Sequence, residues 1–489
     1  MKKIQIETFV TVALLSVSAL AFSGCLSGGL NPATPAAAVS STEPTVEPTA
    51  TSTTEPSVEP SVTPSATSTA SPSPSPSPSP SPSPSPSPSE GIGITYFNSD
   101  DGSGNQLWMT DGTTAGTTKV ASAASVVNAS SPVGFQGNQF FEGTMGMGSR
   151  GLLKWDGDSL SQITADAMVT NAECHRPWRN CVVVGSKLYF RGYSVANSRK
   201  SLFSYDGTTV TEVSGAFFNP YYLTVVGTKL YFQGRIAGGG ESGFYNLMEY
   251  DGTTVSTIYT SADHNNQARP LAGYDGKLYF SAESDLYAQE LWMYNPSATS
   301  QLGADGKLCS DGTQPNPCVV ANIQASNNSE ITAAIEFGGK LYFGKNDDTR
   351  NSFWRYNPAT AVSGTTTAYG LCTGSDNPCR VADSVQVTYG GPAKIGSSKM
   401  IITYFDGANY SIAKYDGTTF TPLTMPTGVS LAAAVPPIAC SATQFCFGGG
   451  GNSIGVEAYV TDGTTTSLLK DINAGASSSG GIDWISWAD

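Results

Sequence analysis

The chain has 489 residues, and its 39 Asp and Glu outnumber its 25 Lys and Arg, so its formal net charge is −14. An acidic chain without a Lys/Arg cluster repels a phosphate backbone, which argues against nucleic acid as a partner. The chain holds two His and has no CxxC or CxxCH sequence, which argues against a zinc site and covalent haem.

The N-terminus has the pattern of an export signal. A start with two Lys precedes an apolar run over 12–22 that is too short for a comfortable membrane span. The next residues, Ser23-Gly24-Cys25, resemble the bacterial lipobox, in which a small residue precedes a Cys that becomes the lipidated N-terminus. We predict a signal peptide over 1–24 and a membrane anchor through lipidated Cys25. An ordinary signal peptide with a stray Cys is the alternative.

Residues 25–90 are predicted to be a disordered tether behind the lipid. They consist mainly of Pro, Ser, Thr, Ala and Glu, which bury too little apolar surface to fold. In polyproline II form, at about 3.1 Å per residue, the tether would reach on the order of 100 to 200 Å. Leu26 and Ser27 stand where related lipoproteins carry Asp for inner-membrane retention. The resemblance therefore implies export to the outer membrane and cell surface.

Eight further Cys fall into four close pairs along the chain. Pairs this close predict local disulfides, which form in exported proteins. The predicted disulfides are Cys174 with Cys181, Cys309 with Cys318, Cys372 with Cys379, and Cys440 with Cys446.

Past Gly91 the chain repeats a unit of about 50 residues. Each unit contains short apolar strands, of which the second carries a Tyr/Phe pair and the third ends in a turn. Four antiparallel strands per unit predict an all-β fold over 91–489, an eight-bladed β-propeller, with seven blades as the alternative. The C-terminal segment 482–487 is expected to complete the first blade and close the ring.

Two motifs of this unit resemble known repeats. The sequences GKLYF and LWMYNP look like the kelch-type repeat, and QLWMTDGTTAGTTKV is similar to the "ELW-SDGT" repeats of bacterial exported proteins. The resemblance implies a propeller in an exported protein. It implies little about activity, because propellers host many unrelated functions.

Six Asp-Gly dipeptides recur at the end of the third strand, and we interpret them as hairpin turns rather than as ligands. Asn295-Pro296 and Asn357-Pro358 replace this turn in two units and are followed by insertions that hold a Cys pair. Disulfides are expected to staple these longer hairpins. The Asp residues of the six dipeptides are Asp111, Asp156, Asp206, Asp251, Asp416 and Asp462.

Acidic loop residues of the fifth, sixth and seventh units form the first candidate site. Their proximity predicts an acidic sector that could hold Ca²⁺ or attract a basic partner. A solvated acidic surface is the alternative, and no DxDxDG loop is present. No other cofactor is expected. The residues of this sector are Glu283, Asp285, Asp347, Asp348 and Asp406.

The segment between the third and fourth units is the second candidate site. Its aromatic residues Phe217, Phe218, Tyr221 and Tyr222 are expected to stack on a sugar or anchor a protein if they are exposed at a loop tip, and to pack between blades if they are not. His264 lies in a polar loop that suits hydrogen bonding to a glycan.

These features predict a monomeric, surface-displayed lipoprotein that is not an enzyme. Its propeller is expected to act as a non-catalytic binding module for adhesion or for recognition of a glycan or protein. No GxSxG, HExxH or phosphate-binding glycine motif lies between suitable elements. A structural envelope or matrix role, or a propeller glycosidase or lyase that uses carboxylate pairs, is the alternative.

Overall fold

The structure is a computed structural model, and the residues that it describes belong to one unit of the chain, Pro80–Asp489. Cys25 and the predicted signal peptide and tether lie outside them. None of the described segments forms a helix of the length and apolarity that crossing a membrane requires. The described residues are 94–120, 126–127, 132–145, 148–164, 168–174, 180–236, 245–260, 268–283, 289–298, 308–309, 316–323, 329–347, 351–362, 371–372, 376–387, 391–431, 437–451, 455–474 and 483–484.

The described strands form eight antiparallel sheets that are arranged as the blades of an eight-bladed β-propeller, which confirms the predicted fold and the first of the two blade counts. The strands of blades one to four are β1 (Thr95–Asp100), β2 (Asn105–Thr110), β3 (Thr118–Lys119), β4 (Val126–Val127), β5 (Val133–Phe135), β6 (Asn138–Met145), β7 (Gly151–Trp155), β8 (Leu160–Gln162), β9 (Val169–Glu173), β10 (Cys181–Val184), β11 (Lys187–Ser194), β12 (Arg199–Tyr205), β13 (Val210–Glu212), β14 (Phe217–Val226), β15 (Lys229–Ile236), β16 (Asn246–Tyr250) and β17 (Val255–Thr260).

Blades five to eight follow the same order, and the last strand returns to blade one. These strands are β18 (Arg269–Tyr274), β19 (Lys277–Ala282), β20 (Glu290–Tyr294), β21 (Cys318–Val319), β22 (Ser329–Phe337), β23 (Lys340–Asp347), β24 (Ser352–Tyr356), β25 (Cys379–Asp383), β26 (Gln386–Val387), β27 (Ala393–Ile395), β28 (Lys399–Phe405), β29 (Tyr410–Tyr415), β30 (Phe420–Pro422), β31 (Ser430–Leu431), β32 (Ile438–Ala439), β33 (Phe445–Gly451), β34 (Gly455–Thr461), β35 (Thr466–Lys470) and β36 (Asp483–Trp484).

The ring closes as the sequence predicted. Strand β36 pairs with β1 through Phe97 opposite Trp484 and Asn98 opposite Asp483, so the C-terminal strand supplies the inner strand of blade one. This pairing covers the edge that β1 would otherwise expose. The inner strand is one piece in blades four, five and six, whereas blades two, three, seven and eight build it from two short segments.

Aromatic rings hold neighbouring blades together. The Tyr or Phe that begins the aromatic pair of a second strand contacts the Tyr that ends the third strand of the next blade. Such edge or tilted contacts contribute about 0.5–1.5 kcal/mol each beyond the area they bury. The contacts, between ring centroids, are Phe140–Tyr205 at 5.6 Å, Tyr189–Tyr250 at 5.9 Å, Tyr231–Tyr294 at 6.0 Å, Tyr279–Tyr356 at 6.1 Å and Tyr342–Tyr415 at 5.3 Å.

One position in the second strand is occupied by different residue types in different blades, although the residue that faces it is always apolar. It follows the aromatic pair, or the residues that replace that pair, and faces a buried apolar residue of the third strand in every blade. We call it the variable position. The facing pairs are Asn98 with Leu107, Glu142 with Leu152, Arg191 with Leu202, Gln233 with Leu247, Ser281 with Leu291, Gly344 with Phe353, Thr403 with Ile412, and Gly448 with Ala458.

All four predicted disulfides are present. Cys440–Cys446 joins the end of β32 to β33, and Cys309–Cys318 and Cys372–Cys379 lie in the long hairpins of blades five and six. In the hairpin of blade five, the backbone N–H of Asn295 donates to Oδ1 of Asn316 at 2.8 Å, and Nδ2 of Asn316 donates to the Asn295 carbonyl at 2.9 Å. A side-chain amide thus replaces the backbone bonds of the Asp-Gly turn.

Candidate functional site

The strand order gives the propeller two unlike faces. Turns from first to second and from third to fourth strands lie on one face, the turn face. Connections from second to third strands and from blade to blade lie on the opposite face, the long-loop face. Because loops on a rigid scaffold commonly carry binding and catalytic residues, the long-loop face is the place to search for a site.

The Asp residues of the turn face are structural, as the sequence predicted. In blade three, Oδ1 of Asp206 accepts the backbone N–H groups of Thr208 and Thr209 at 2.8 and 2.7 Å. These bonds lower the pKa of Asp206 to about 2, and equivalent bonds to Thr419 and Thr418 lower the pKa of Asp416 to about 2. The carboxylates hold hairpins and have no surplus bonding capacity that requires a ligand.

The structure describes the side chains of two residues of the predicted acidic sector. Asp406 is exposed between β28 and β29, where it accepts the N–H groups of Ala408 and Asn409 at 2.8 Å each, and these bonds lower its pKa. Glu283 is half-buried after β19. Asp347 ends β23, but its side chain, and all of Asp285, Asp348 and His264, lie outside the described residues.

A cation site in this sector stays a prediction. The part of the chain that the structure describes contains no group of three or more His, Cys, Asp or Glu side chains placed to hold a metal ion. Asp406 shapes a hairpin turn in the same way as the Asp residues of the turn face. Calcium binding would therefore depend on the loop residues outside the described ranges.

The aromatic segment 217–222 is not a loop tip. It begins β14, the inner strand of blade four, and Phe217 and Phe218 are buried there. The Phe217 ring packs on Phe232 with centroids 4.8 Å apart. The prediction of exposed stacking is therefore wrong for these two residues, because the strand turns them into the contact between blades. Tyr221 and Tyr222 are half-buried and contact arginines.

Arg191, at the variable position of blade three, is the centre of these contacts. Its side chain is buried and forms an ion pair with Glu173 of β9, which Lys200 also contacts. Its Nη2 donates to Oδ1 of Asn219 at 3.5 Å, and its Cζ lies 3.7 Å from the ring centroid of Tyr221. Its Nε is buried without a hydrogen-bond partner.

A second arginine extends the cluster within blade four. Cζ of Arg235 lies 4.1 Å from the centroid of Tyr245, and the Tyr245 ring meets the Tyr221 ring edge to face at 6.2 Å. Burial raises the pKa of Tyr245, although the positive charge of Arg235 opposes that rise. Tyr245 is therefore a neutral phenol at neutral pH. Nε of Arg235 also lacks a partner.

A third arginine comes from the start of β18 in blade five. Arg269 pairs with Glu330 through Nη1 and Oε1 at 3.2 Å, and its Nη2 donates to the Ile331 carbonyl. Cζ of Arg269 lies 5.3 Å from the ring centroid of Tyr222. Burial raises the pKa of Tyr222, which Arg269 partly offsets. Nε of Arg269 also lacks an acceptor, and among the described residues the same holds for Arg199, which lies outside this group of contacts.

The backbone that presents the two tyrosines is strained. Asn219 and Tyr222 have φ values of 53° and 56°, in the left-handed region that non-glycine residues rarely adopt. The pairing of β14 with β15 shifts register on both sides of Tyr221. Such residues cost about 1–3 kcal/mol each and persist where function requires an unusual side-chain direction.

The three arginines described above and the three tyrosines that they contact form what we call the arginine–tyrosine cluster. Within the described residues, three guanidiniums of the cluster offer Nε donors that no group accepts, and Nε2 of Gln233, 1% exposed, is unsatisfied at the next variable position. A buried donor without an acceptor costs about 1–3 kcal/mol, and more when it is charged. The arrangement therefore favours an anionic ligand that lies against aromatic rings. The cluster consists of Arg191, Arg235, Arg269, Tyr221, Tyr222 and Tyr245.

Four of these residues, Arg191, Arg235, Arg269 and Tyr245, are not among the sequence candidates, although the sequence holds a signal for one of them. The repeats act as an internal alignment, in which the two residues before the variable position are apolar or aromatic in every copy. Arg191 and Gln233 stand out at the variable position. The contacts from Arg235 and Arg269 join three blades and have no counterpart in sequence spacing.

Solved structures with similar propellers were found. A puromycin-hydrolyzing peptidase of Mycobacterium tuberculosis is 12% identical, with a TM-score of 0.44, over 72% of this chain and 54% of that one. Oligopeptidase B of Trypanosoma brucei is 10% identical, with a TM-score of 0.45, over 72% and 49%. This chain thus spans about half the length of both peptidases.

An oligogalacturonate lyase of Vibrio parahaemolyticus is also similar. It is 10% identical, with a TM-score of 0.39, over 73% of this chain and 93% of the lyase. No protein-family model and no curated protein matches the chain. Identities this low show a shared propeller fold and leave the kelch-type assignment a prediction.

The prediction of a non-catalytic binding module is wrong on this comparison, because the similar propellers belong to two peptidases and a lyase. The likeness covers the propeller and stays near 10% identity, so it does not show that this chain is an enzyme. The fold is established by the strands themselves, which form an eight-bladed β-propeller in which each blade has four strands.

Proposed function

We propose that the propeller is an enzyme that cleaves an acidic oligosaccharide or polysaccharide by β-elimination at the arginine–tyrosine cluster. The observation that carries this proposal is the set of guanidinium Nε donors without acceptors beside half-buried tyrosine rings. Guanidinium binds carboxylate with matched geometry, and aromatic faces pack against apolar sugar faces. A uronic acid combines both chemical groups.

The chemistry follows from those groups. In a uronate glycoside, a base removes the proton on C5, next to the carboxylate, and the electron pair forms the C4–C5 double bond. The C4–O4 bond breaks, and the leaving oxygen takes up a proton. Arg191 and Arg235 would neutralise the carboxylate as negative charge develops in the transition state. Tyr245, a neutral phenol at neutral pH, would donate the proton to the leaving oxygen. Tyr221, whose ring meets the Tyr245 ring, would accept the C5 proton in its phenolate form, and both phenols would return to their starting states by exchanging a proton with water.

The carboxylates of the cluster favour this reaction over glycoside hydrolysis. Glycosidases use one carboxyl group as a proton donor and a second as base or nucleophile. Glu173 contacts both Arg191 and Lys200, and Glu330 pairs with Arg269, so these carboxylates are held as counter-ions of the cluster. We therefore assign the proton transfers to the phenols of the cluster.

The test is incubation of the full chain with polygalacturonate, alginate and hyaluronate while the ultraviolet absorbance of the unsaturated product is followed. We expect one polymer to be cleaved, and Tyr245→Phe to lower the rate about a hundredfold. Tyr205→Phe is the matched control, because the Tyr205 hydroxyl donates to the Gly207 carbonyl at 2.7 Å on the turn face. Absence of the product with every polymer would overturn the proposal.

We also infer that the enzyme is exported and anchored by a lipid at Cys25, with the tether over 25–90 between anchor and propeller. The lipobox-like sequence, the four disulfides and the repeat's resemblance to those of exported proteins support this inference. Labelling cells with a fatty-acid analogue should mark the full chain and leave Cys25→Ser unmarked. Equal labelling of both would contradict lipidation at this residue.

A further inference from the structure

We propose that Arg269, Tyr222 and Glu330 form a second anion subsite, so that the site selects oligomers with acidic groups on successive sugar units. This inference rests on the proposed function and specifies its substrate. The three residues repeat the composition of the first unit, in which Arg191 contacts the Tyr221 ring and pairs with Glu173. Both arginines are more than nine-tenths buried, and both have an Nε without an acceptor.

The two units are physically continuous. Adjacent residues of a regular strand point to opposite faces, which would separate Tyr221 from Tyr222. The positive φ of Tyr222 and the register shifts around Tyr221 break that alternation. The two rings therefore lie 6.3 Å apart, and each contacts the arginine of a different neighbouring blade. A linear ligand can follow this row of rings from Arg191 to Arg269.

The two units differ in how their glutamates are held. The Glu173 side chain is 10% exposed and contacts Lys200 as well as Arg191. The Glu330 side chain is 37% exposed and pairs with Arg269 at 3.2 Å. An exposed carboxylate can return to water at little cost, whereas a buried one cannot. A ligand carboxylate is therefore expected to replace Glu330 on Arg269, while Glu173 keeps Arg191 in position.

The experiment measures equilibrium binding and cleavage of the disaccharides and hexasaccharides of galacturonate and guluronate by the full chain. Wild type should bind a hexasaccharide more tightly than its disaccharide. Arg269→Lys keeps the charge but loses the Nε donor and should remove about tenfold of that preference. Glu330→Gln removes the competing carboxylate and should strengthen hexasaccharide binding. Arg150→Lys, in an ion pair of blade two on the same face, is the control.

The possible results separate the two proposals. Equal affinity for the two lengths in wild type, or an undiminished preference in Arg269→Lys with a wild-type melting temperature, would overturn the second subsite. A preference for the hexasaccharide that depends on Arg269, observed without any cleavage, would support the second subsite and overturn the proposed enzymatic activity. If Arg269→Lys fails to fold, Glu330→Gln decides, because weaker hexasaccharide binding in that variant contradicts replacement of Glu330 by the ligand. Absence of binding to all four oligosaccharides would reject the second subsite, while cleavage of hyaluronate would still support the enzyme.

Discussion

The two faces of the propeller use charged side chains in opposite ways. On the turn face, carboxylates such as Asp206 and Asp416 accept the N–H groups of their own hairpins, so the fold alone accounts for them. On the long-loop face, Arg191, Arg235 and Arg269 keep Nε donors that the protein does not satisfy. Hydrogen-bond satisfaction therefore distinguishes the structural carboxylates of the turn face from the guanidiniums of the proposed site better than residue type or exposure does.

The largest stability effect should come from Arg191 itself. Arg191→Met leaves buried Glu173 without its guanidinium partner, and we expect the free energy of unfolding to fall by about 3 kcal/mol. Arg235→Met removes a half-buried guanidinium stacked on one ring and should cost about 1 kcal/mol. Urea unfolding of both variants measures the difference.

A double variant serves as the control for that result. Arg191→Met with Glu173→Gln removes the buried charge that has lost its guanidinium partner and should regain part of the lost stability, because the half-exposed Lys200 can return to water. If Arg191→Met is no less stable than Arg235→Met, the ion pair with Glu173 does not support the long-loop face.

Two disulfides with the same sequence separation of 7 allow a matched test of the faces. Replacing either Cys174 and Cys181 or Cys372 and Cys379 by Ser should lower the free energy of unfolding by about 2–3 kcal/mol, because the closed loops are equally short. The two variants should differ in catalysis. The first disulfide spans the break between β9 and β10, beside Glu173, so its loss should slow cleavage.

The structural reason is local. Nδ2 of Asn180, the residue before Cys181, donates to Oε2 of Glu173 at 3.2 Å, and Glu173 positions Arg191. The disulfide of Cys372 and Cys379 lies in a hairpin of the turn face. Equal cleavage rates for both variants at a temperature where both are folded would show that Cys174–Cys181 does not position the cluster.

The smallest effect belongs to the exposed turn carboxylates. The pKa of Asp206 and of Asp416 is about 2 in the folded protein, below the value of 3.8 usual for Asp. Their contribution is present above the unfolded pKa and is lost as pH falls through the folded pKa, so melting temperature should decline between about pH 4 and pH 2. Asp206→Asn with Asp416→Asn should flatten this decline and change little at pH 7. An unaltered slope would mean that other groups control acid stability.

Much of the architecture was predictable because it is periodic. The repeated strands, the Asp-Gly turns, the four disulfides and the closing strand each leave a local pattern, and the structure confirms them. The sequence predicts Phe217 and Phe218 in the connection between two blades, whereas the structure places them at the start of β14, before the positive φ values of Asn219 and Tyr222. A bulged inner strand and a loop are difficult to distinguish from sequence alone.

The sequence by itself determined the repeat, the four-stranded unit and the pairing of cysteines, because each depends on residues close together in the chain. Tertiary structure alone decided the site. Arg191, Arg235 and Arg269 come from three successive blades, and Tyr221 and Tyr222 join them through a strained inner strand. Whether a guanidinium donor finds an acceptor depends on side chains that come from different blades. The closed ring brings these side chains together, although no fixed spacing in the sequence relates them.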